Sequence, residues 1–122
     1  MPSAPIQPVT DAFATAAQLQ PADMAEIAAA GFRSVVNHRP DHEGGAAQPT
    51  DEQMRAAAVA AGLRYAHQPV VASSLSADDA ARFARLLDAL PGPVLAFCRS
   101  GSRSRRLYEM ARAAGSGGTT TP

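Results

Sequence analysis

One residue in this sequence has a side chain and a position suited to covalent chemistry: Cys98, the only cysteine of the 122-residue chain. It follows the apolar run PVLAF (93–97), which predicts a short buried strand, and precedes the polar loop RSGSR (99–103). In open parallel sheets, ligands bind at the carboxyl ends of the strands, which is where Cys98 would lie. A lone cysteine at such a place is a candidate nucleophile, because it has no second cysteine with which to form an internal disulfide.

The loop after Cys98 has the composition of an anion-binding turn. Gly101 allows backbone conformations in which successive N–H groups point inward, and the start of a predicted helix adds its positive end. These donors favour the thiolate form of the cysteine, which is the nucleophilic form. Arg103 has the planar fork that binds an anion through two N–H groups. We therefore predict Cys98 and Arg103 as catalytic residues, and a substrate-binding loop formed by Arg99, Ser100, Gly101, Ser102 and Ser104.

Other polar residues of this region have roles that the sequence leaves open. Ser104 is expected to hydrogen-bond the thiolate or the departing group. Arg99 is expected to attract anionic substrates, whereas Arg105 and Arg106 either do the same or form a solvated helix face. The alternative for Cys98 itself is a small buried hydrophobic residue, which is the common role of a lone cysteine near the end of an apolar strand.

The composition favours a compact domain in a reducing compartment. Hydrophobic residues make up 46% of the chain and the formal net charge is +0, which argues against a disordered chain or an electrostatic nucleic-acid binder. The segment MPSAPIQPVT (1–10) lacks the basic and apolar regions of a signal peptide, and no apolar run reaches membrane-spanning length. We expect a cytoplasmic protein that binds neither nucleic acid nor membranes.

Strand and helix patterns alternate along the chain. The predicted strands lie at 13–16, 32–39, 63–70 and 93–97, and the predicted helices at 21–31, 50–62, 76–92 and 102–115. This alternation indicates a single three-layer α/β domain with a mostly parallel four- to five-stranded sheet and helices on both faces. The expected organisation is a loose or edge-pairing N-terminal segment (1–12), a catalytic domain (13–114) and a flexible tail or linker (115–122).

The segment CRSGSRS (98–104) resembles the active-site loop of rhodanese-type sulfurtransferases, in which four residues separate the cysteine from an arginine. Together with GFRSVVNHRPDHEGGAAQP (31–49) and YAHQPV (65–70), it also resembles the phosphatase-like domain of the beta-lactamase-hydrolase-like proteins. The resemblance covers roughly residues 13–113 and implies a cysteine-phosphatase-like fold with a rhodanese-type loop. Domains of that family are often found beside or fused to persulfide dioxygenases, which implies such an enzyme, or another enzyme of sulfide oxidation, as a partner.

Two chemistries follow from this resemblance. Cysteine phosphatases place five residues between the cysteine and the arginine, so Arg103 comes one position early for that class. They also use an aspartate before the cysteine as general acid, whereas PVVASSL (69–75), the matching stretch, has no carboxylate; Asp41 is the remaining candidate. We therefore expect a sulfurtransferase that moves sulfane sulfur from thiosulfate or a glutathione persulfide, through a Cys98 persulfide, to a thiol or sulfite. A phosphatase with a Cys98 phosphocysteine is the alternative, and a non-catalytic persulfide carrier is the second alternative.

The remaining polar residues give weaker signals. Arg39 and Asp41 are possible accessory residues: Arg39 either contacts the substrate or pairs with a carboxylate of the protein. His67 is expected to be a strand residue that makes an ordinary hydrogen bond. The segment HRPDHE (38–43) lacks a recognised metal-ligand spacing, and GSGG (115–118) lacks the lysine of a nucleotide-binding loop, so no metal or cofactor is expected.

Overall fold

The computed structural model describes residues 4–120, with the side chains of 4–113. Five strands form the sheet: β1 (Ile6–Thr10), β2 (Phe13–Ala16), β3 (Ser34–Asn37), β4 (Arg64–His67) and β5 (Val94–Phe97). The four α-helices are α1 (Met24–Ala29), α2 (Asp51–Ala60), α3 (Ala77–Ala89) and α4 (Ser102–Thr120). Short 3₁₀ turns lie at Pro21–Asp23, Gly45–Ala47 and Ala72–Ser74.

The strands form one mixed sheet in the order β1-β2-β5-β3-β4. Strands β2, β5, β3 and β4 are parallel, and β1 pairs antiparallel with β2 at one edge. The last residues of the three central strands are in register, since Phe97 pairs with both Ala16 and Asn37. The residues that follow these strands, among them Cys98 and His38, therefore meet at one edge of the sheet.

Alternate residues of the central strands pack against helices on opposite faces. On one face, Val35, Leu95 and Phe97 share a core with side chains of α1 and α2: Met24, Ile27, Met54 and Ala58. On the other face, Val36, Val94 and Ala96 share a core with side chains of α3 and α4: Ala80, Phe83, Leu107, Tyr108 and Ala111. The two-residue period of a strand separates these sets, because successive side chains point to opposite faces. The predicted three-layer α/β domain with a mostly parallel sheet is confirmed.

The helix starts agree with the residue types at their N-termini. The Thr50 hydroxyl accepts the Gln53 N–H at the start of α2, and the Ser76 hydroxyl accepts the Asp79 N–H at the start of α3. Each cap thus satisfies one of the N–H groups that the first turn of a helix leaves without an internal partner.

The structure adds detail at both ends of the chain. Residues 1–12 were expected to be loose or edge-pairing, and β1 pairs with β2 at the edge of the sheet, so the sheet starts before residue 13. Helix α4 runs to Thr120, within the segment expected to be a tail. Residues 1–3 and 121–122, which belong to the two expected terminal segments, lie outside the described residues. No helix in the described part of the chain combines the length and the apolar character that crossing a bilayer requires.

Candidate active site

Cys98 directly follows β5 and is held by the backbone around it. Its side chain is buried, with 1% of its surface exposed, and the Gly101 N–H donates to its Sγ atom over 3.1 Å. The loop is anchored to the end of β2 and to the segment after it, because the Cys98 N–H donates to the Ala16 carbonyl (3.4 Å) and the Gln18 N–H to the Arg99 carbonyl (3.2 Å). Gly101 has a φ of 93°, a conformation that favours glycine and that turns its N–H toward the sulfur. The sulfur therefore has a backbone donor in a fixed position.

Arg103 is the second predicted catalytic residue, and its guanidinium group is buried against the protein. Its Nη1 donates to the Val70 carbonyl (2.9 Å) and to Glu43 Oε2 (3.0 Å), and its Nη2 donates to Glu43 Oε1 (3.1 Å). Its Nε is buried and has no hydrogen-bond partner among the described residues. One side of the guanidinium is thus fixed by the protein, and a donor remains that the described part of the protein does not use.

Glu43 is the residue that sequence reasoning missed. Besides the two bonds from Arg103, its Oε1 accepts from Arg39 Nε over 2.8 Å. The hydrogen bonds from Arg103 are the largest cause of a pKa held below the ordinary value of this carboxyl, with Arg39 acting in the same direction and burial opposing them. The interpretation that Arg39 pairs with a carboxylate of the protein is confirmed. The position of Glu43 was the signal that could have identified it, because Glu43 lies in the loop after β3 and β3 is the neighbour of β5.

The loop after β3 is folded tightly around Glu43. His42 has a φ of 68°, an uncommon conformation for a residue with a side chain, and a Cβ on Gly44 would lie 2.6 Å from Arg39 Nη2. Gln48 closes the loop: its Oε1 accepts the Gly44 N–H (2.7 Å), and its Nε2 donates to the Pro40 carbonyl (2.8 Å). This backbone places the Glu43 carboxylate between two arginines.

Asp41, the candidate general acid, is hydrogen-bonded to the start of α2. Its Oδ1 accepts the Asp51 N–H over 2.7 Å at the first residue of α2. An anion there stabilises the helix, because the N-terminus of a helix carries partial positive charge. The hydrogen bond of Asp41 thus connects it to α2, and neither Cys98 nor Arg103 is its partner.

Ser104 has a hydrogen-bond partner that the sequence did not predict. Its hydroxyl was expected on the thiolate or the departing group, but its Oγ lies 2.8 Å from His38 Nδ1. Both side chains are fully buried, because α4 packs its first turn against the end of β3. Burial is the largest cause of the lowered pKa of His38, about 3, so this imidazole is neutral at pH 7.

The other predicted residues lie around the loop. The Ser100 hydroxyl accepts the Ser102 N–H (3.3 Å), and Arg105 Nε donates to Glu109 (3.4 Å). A surface cavity of about 320 Å³ lies beside the loop, and Arg99 and Arg106 are exposed. The cavity is lined by Gln7, Thr15, Ala16, Ser100, Gly101, Ser102, Arg105 and Arg106. His67 Nε2 lies 2.8 Å from the Arg39 carbonyl, which confirms its predicted ordinary hydrogen bond.

The fold and the site together define a class of protein. A parallel sheet holds a buried cysteine at its carboxyl edge, a loop N–H donates to the sulfur, and an arginine in the first turn of the following helix is fixed by a carboxylate. These are the features of an enzyme of the cysteine-phosphatase-like kind. The family model described as beta-lactamase hydrolase-like protein, phosphatase-like domain, matches residues 6–115, and the chain belongs to that family.

Comparison with known proteins supports both the family and the fold. A beta-lactamase hydrolase-like protein of Agrobacterium fabrum is 34% identical over 105 residues, which cover 86% of this chain and 24% of the relative. The chain therefore spans about a quarter of the length of the curated relatives it matches. A crystal structure from Neisseria meningitidis Z2491, provisionally described as a phosphatase, has 33% identity and a TM-score of 0.82, covering 90% of this chain and 78% of its own. The structure of Tk-PTP in its active form has 17% identity and a TM-score of 0.62, covering 79% and 63%, and supports the fold alone.

Proposed function

We propose that this chain is a cysteine-dependent phosphatase that hydrolyses aryl phosphate esters. The observation that carries the proposal is the buried Arg103, whose Nε has no acceptor among the described residues and which lies in the first turn of α4, directly after the loop whose Gly101 N–H donates to the Cys98 sulfur. A buried guanidinium donor without a protein acceptor is available to an anion, and a phosphoryl group offers several acceptor oxygens. Membership of a phosphatase-like family supports the same choice.

The reaction is a double displacement through phosphocysteine. The Cys98 thiolate forms a bond to phosphorus while the bond from phosphorus to the ester oxygen breaks, and the electron pair of that bond leaves with the aryl oxide. Water then attacks the phosphorus of phosphocysteine, the sulfur–phosphorus bond returns its electron pair to Cys98, and the released proton passes to solvent. Arg103 and the loop N–H groups hold the phosphoryl oxygens in both steps.

The carboxylates of the site favour an aryl leaving group. Glu43 is ionised at neutral pH, because the ordinary pKa of its carboxyl is 4.5 and Arg103 holds this pKa lower still, so it is a poor proton donor. Asp41 binds the N-terminus of α2. A phenol such as tyrosine has a pKa of about 10, so its oxide leaves without much help from an acid, whereas an alkoxide needs a proton.

Hydrolysis of matched esters tests this proposal. We expect the protein to hydrolyse aryl phosphates, with a rate that depends steeply on the pKa of the phenol, and to leave alkyl phosphates largely intact. The Cys98→Ser variant should lose the activity, because the serine hydroxyl is a much weaker nucleophile. Absence of aryl phosphate hydrolysis by a folded protein would reject the phosphatase proposal.

The role of Arg103 is tested against a second arginine of the same helix. Arg103→Lys removes the fork that donates to Glu43 and Val70, so we expect kcat/KM to fall roughly 10²-fold. Arg106→Lys is the matched control, because Arg106 is exposed, and it should change kcat/KM by less than about two-fold. Equal losses in the two variants would contradict this assignment of Arg103.

Sulfur transfer is a second candidate function, and the length of the loop favours it. Four residues separate Cys98 from Arg103, one fewer than in cysteine phosphatases, and sulfur transfer needs no general acid. Here the Cys98 thiolate bonds to the outer sulfur of thiosulfate, the sulfur–sulfur bond breaks, and its electron pair leaves with sulfite. An acceptor thiolate then takes that sulfur and releases Cys98. A persulfide-oxidising enzyme would be the partner of a chain with this function.

Mass spectrometry separates the candidates. Incubation with thiosulfate or glutathione persulfide adds the mass of one sulfur atom to Cys98 if the chain transfers or carries sulfur, and Cys98→Ser should prevent the gain. Steady-state turnover with cyanide or a thiol then distinguishes a sulfurtransferase from a persulfide carrier. Hydrolysis of aryl phosphate without a sulfur adduct identifies the phosphatase.

A further inference from the structure

Three buried polar side chains link the start of α4 to the ends of two neighbouring strands. Ser104 Oγ lies 2.8 Å from His38 Nδ1, and both residues have 0% of their surface exposed. Gln68 follows β4 and is also buried, and hydrogen bonding from its side chain raises the pKa of His38 against the effect of burial. The phosphatase mechanism described above uses none of the three.

The Gln68 amide has a defined orientation. Its Nε2 donates to the Asp79 carbonyl over 2.9 Å, so its Oε1 remains as the acceptor. Neither Gln68 Oε1 nor His38 Nε2 completes a hydrogen bond of good geometry with a described residue, although both atoms are buried. An acceptor oxygen and a ring nitrogen that can carry a proton are thus both without a partner among the described residues, and the Gln68 side chain acts on His38 by raising its pKa.

This arrangement selects one tautomer of His38. A proton on Nδ1 would leave Nε2 as a buried acceptor, and Gln68 has only an acceptor to offer, because its own Nε2 already donates to the Asp79 carbonyl. A proton on Nε2 instead supplies the kind of donor that the Gln68 oxygen lacks and makes Nδ1 an acceptor for the Ser104 hydroxyl. Among the charged and titratable groups around the ring, Arg103 and His67 lower the pKa of His38 and Asp79 raises it, and burial outweighs them all.

We propose that His38 is a positioning residue. With its proton on Nε2, its Nδ1 accepts a hydrogen bond from the Ser104 hydroxyl. This hydrogen bond holds the first turn of α4, including Arg103, against the end of β3. This proposal shares one assumption with the proposed function, namely that Arg103 binds an anion beside Cys98. Because the Ser104 hydroxyl points to His38, the Gly101 N–H is the donor that reaches the Cys98 sulfur. His38 thus acts on the loop through Ser104 and touches no substrate.

The tautomer is measured directly by nitrogen NMR of the histidine rings at pH 7. We expect His38 to have an unprotonated Nδ1 and a protonated Nε2, and replacement of Gln68 by leucine should disturb this preference. A protonated Nδ1 in the wild-type protein would overturn the proposal.

The positioning role is measured with two reagents that alkylate Cys98, anionic iodoacetate and neutral iodoacetamide. The ratio of the iodoacetate rate to the iodoacetamide rate reports how well Arg103 presents its positive charge to the reagent. A general loosening of the fold would not selectively lower this ratio. His38→Asn keeps an acceptor near the position of Nδ1 and should keep the ratio, whereas His38→Phe keeps a ring without an acceptor and should lower the ratio roughly ten-fold. Equal ratios in these two variants would overturn the proposal.

Ser104→Ala provides an independent variant if His38→Phe does not fold. It should lower the ratio as much as His38→Phe does, and the double variant should lower it no further, because both changes remove one interaction. Additive losses would overturn the proposal. Because this test measures alkylation of Cys98, a failure of aryl phosphate hydrolysis would reject the proposed function without affecting the test of His38.

Discussion

At the scale of single residues, the site is organised by a carboxylate. Glu43 accepts hydrogen bonds from both Arg39 and Arg103, so two guanidinium groups share one anion next to the Cys98 loop. A buried arginine needs such a partner, because an unpaired buried charge is costly. The pair fixes Arg103 in one orientation before any substrate arrives, which lowers the entropy cost of binding an anion.

Replacing Glu43 by glutamine should destabilise the protein in a pH-dependent way. The folded state lowers the pKa of Glu43 below its ordinary value of 4.5, so its stabilising contribution is present above that pH and is lost as the pH falls through the lowered pKa. In urea unfolding at pH 7 we expect Glu43→Gln to cost about 1–2 kcal/mol, and the difference from wild type should shrink at acid pH. Glu109→Gln removes the exposed partner of Arg105 and is the matched control, with a loss within experimental error. A constant Glu43→Gln difference at all pH values would contradict this account.

At the scale of elements, the junction between β5 and α4 forms the site. The strand ends at Phe97 and the helix begins at Ser102, so the loop between them must reverse and direct an N–H to the sulfur. Gly101 makes that turn with a positive φ, and a Cβ there would lie 3.4 Å from the Ala16 carbonyl group. The space is sufficient for a methyl group, and the constraint is therefore the backbone conformation.

Gly101→Ala separates this local constraint from general stability. Gly62 has a similar φ of 83°, against 93° for Gly101, and lies after α2 with no atom within 4 Å of an added Cβ. Both alanine variants should lose about 1 kcal/mol of unfolding free energy, because each strains the backbone in the same way. Only Gly101→Ala should slow alkylation of Cys98, since it displaces the N–H donor. Equal alkylation rates in the two variants would contradict the role of Gly101.

At the scale of the whole molecule, two cores share one sheet. The first core lies against α1 and α2, the second lies against α3 and α4, and β5 contributes residues to both. Phe13 connects the second core to both of its helices, since its ring stacks on Tyr108 (4.0 Å between centroids) and meets the edge of Phe83 (5.9 Å). Loss of the central strand would expose both cores together.

We therefore expect the domain to unfold in one cooperative transition. The chain has no tryptophan and two tyrosines, and these report on opposite faces, because Tyr65 packs against the first core and Tyr108 lies in the second. In Tyr65→Phe and in Tyr108→Phe, fluorescence of the remaining tyrosine and far-UV circular dichroism should give the same urea midpoint. Midpoints that differ within one variant would indicate that the two layers unfold separately.

Local patterns predicted most of the fold and the central part of the site. The helix caps at Thr50 and Ser76 and the strand before Cys98 depend on residues close in sequence, so the sequence alone could predict them. The pairing of Arg39 with a carboxylate was foreseen as one of two roles, but the identity of the carboxylate was not. Strand β1 was left open as an edge-pairing segment, because the three prolines of residues 1–10, one of them within the strand, weaken the strand pattern.

The sequence by itself determined that the chain alternates strands and helices around one sheet and that a cysteine, a glycine and an arginine share one strand-to-helix loop. Tertiary structure alone decided that Glu43 would fix Arg103, 60 residues away, and that Ser104 would meet His38, 66 residues away. The physical reason is that helix periodicity, strand alternation and caps are short-range effects, whereas these contacts depend on the order in which the strands assemble. Because β3 lies beside β5, the two loops that follow these strands meet at the same edge.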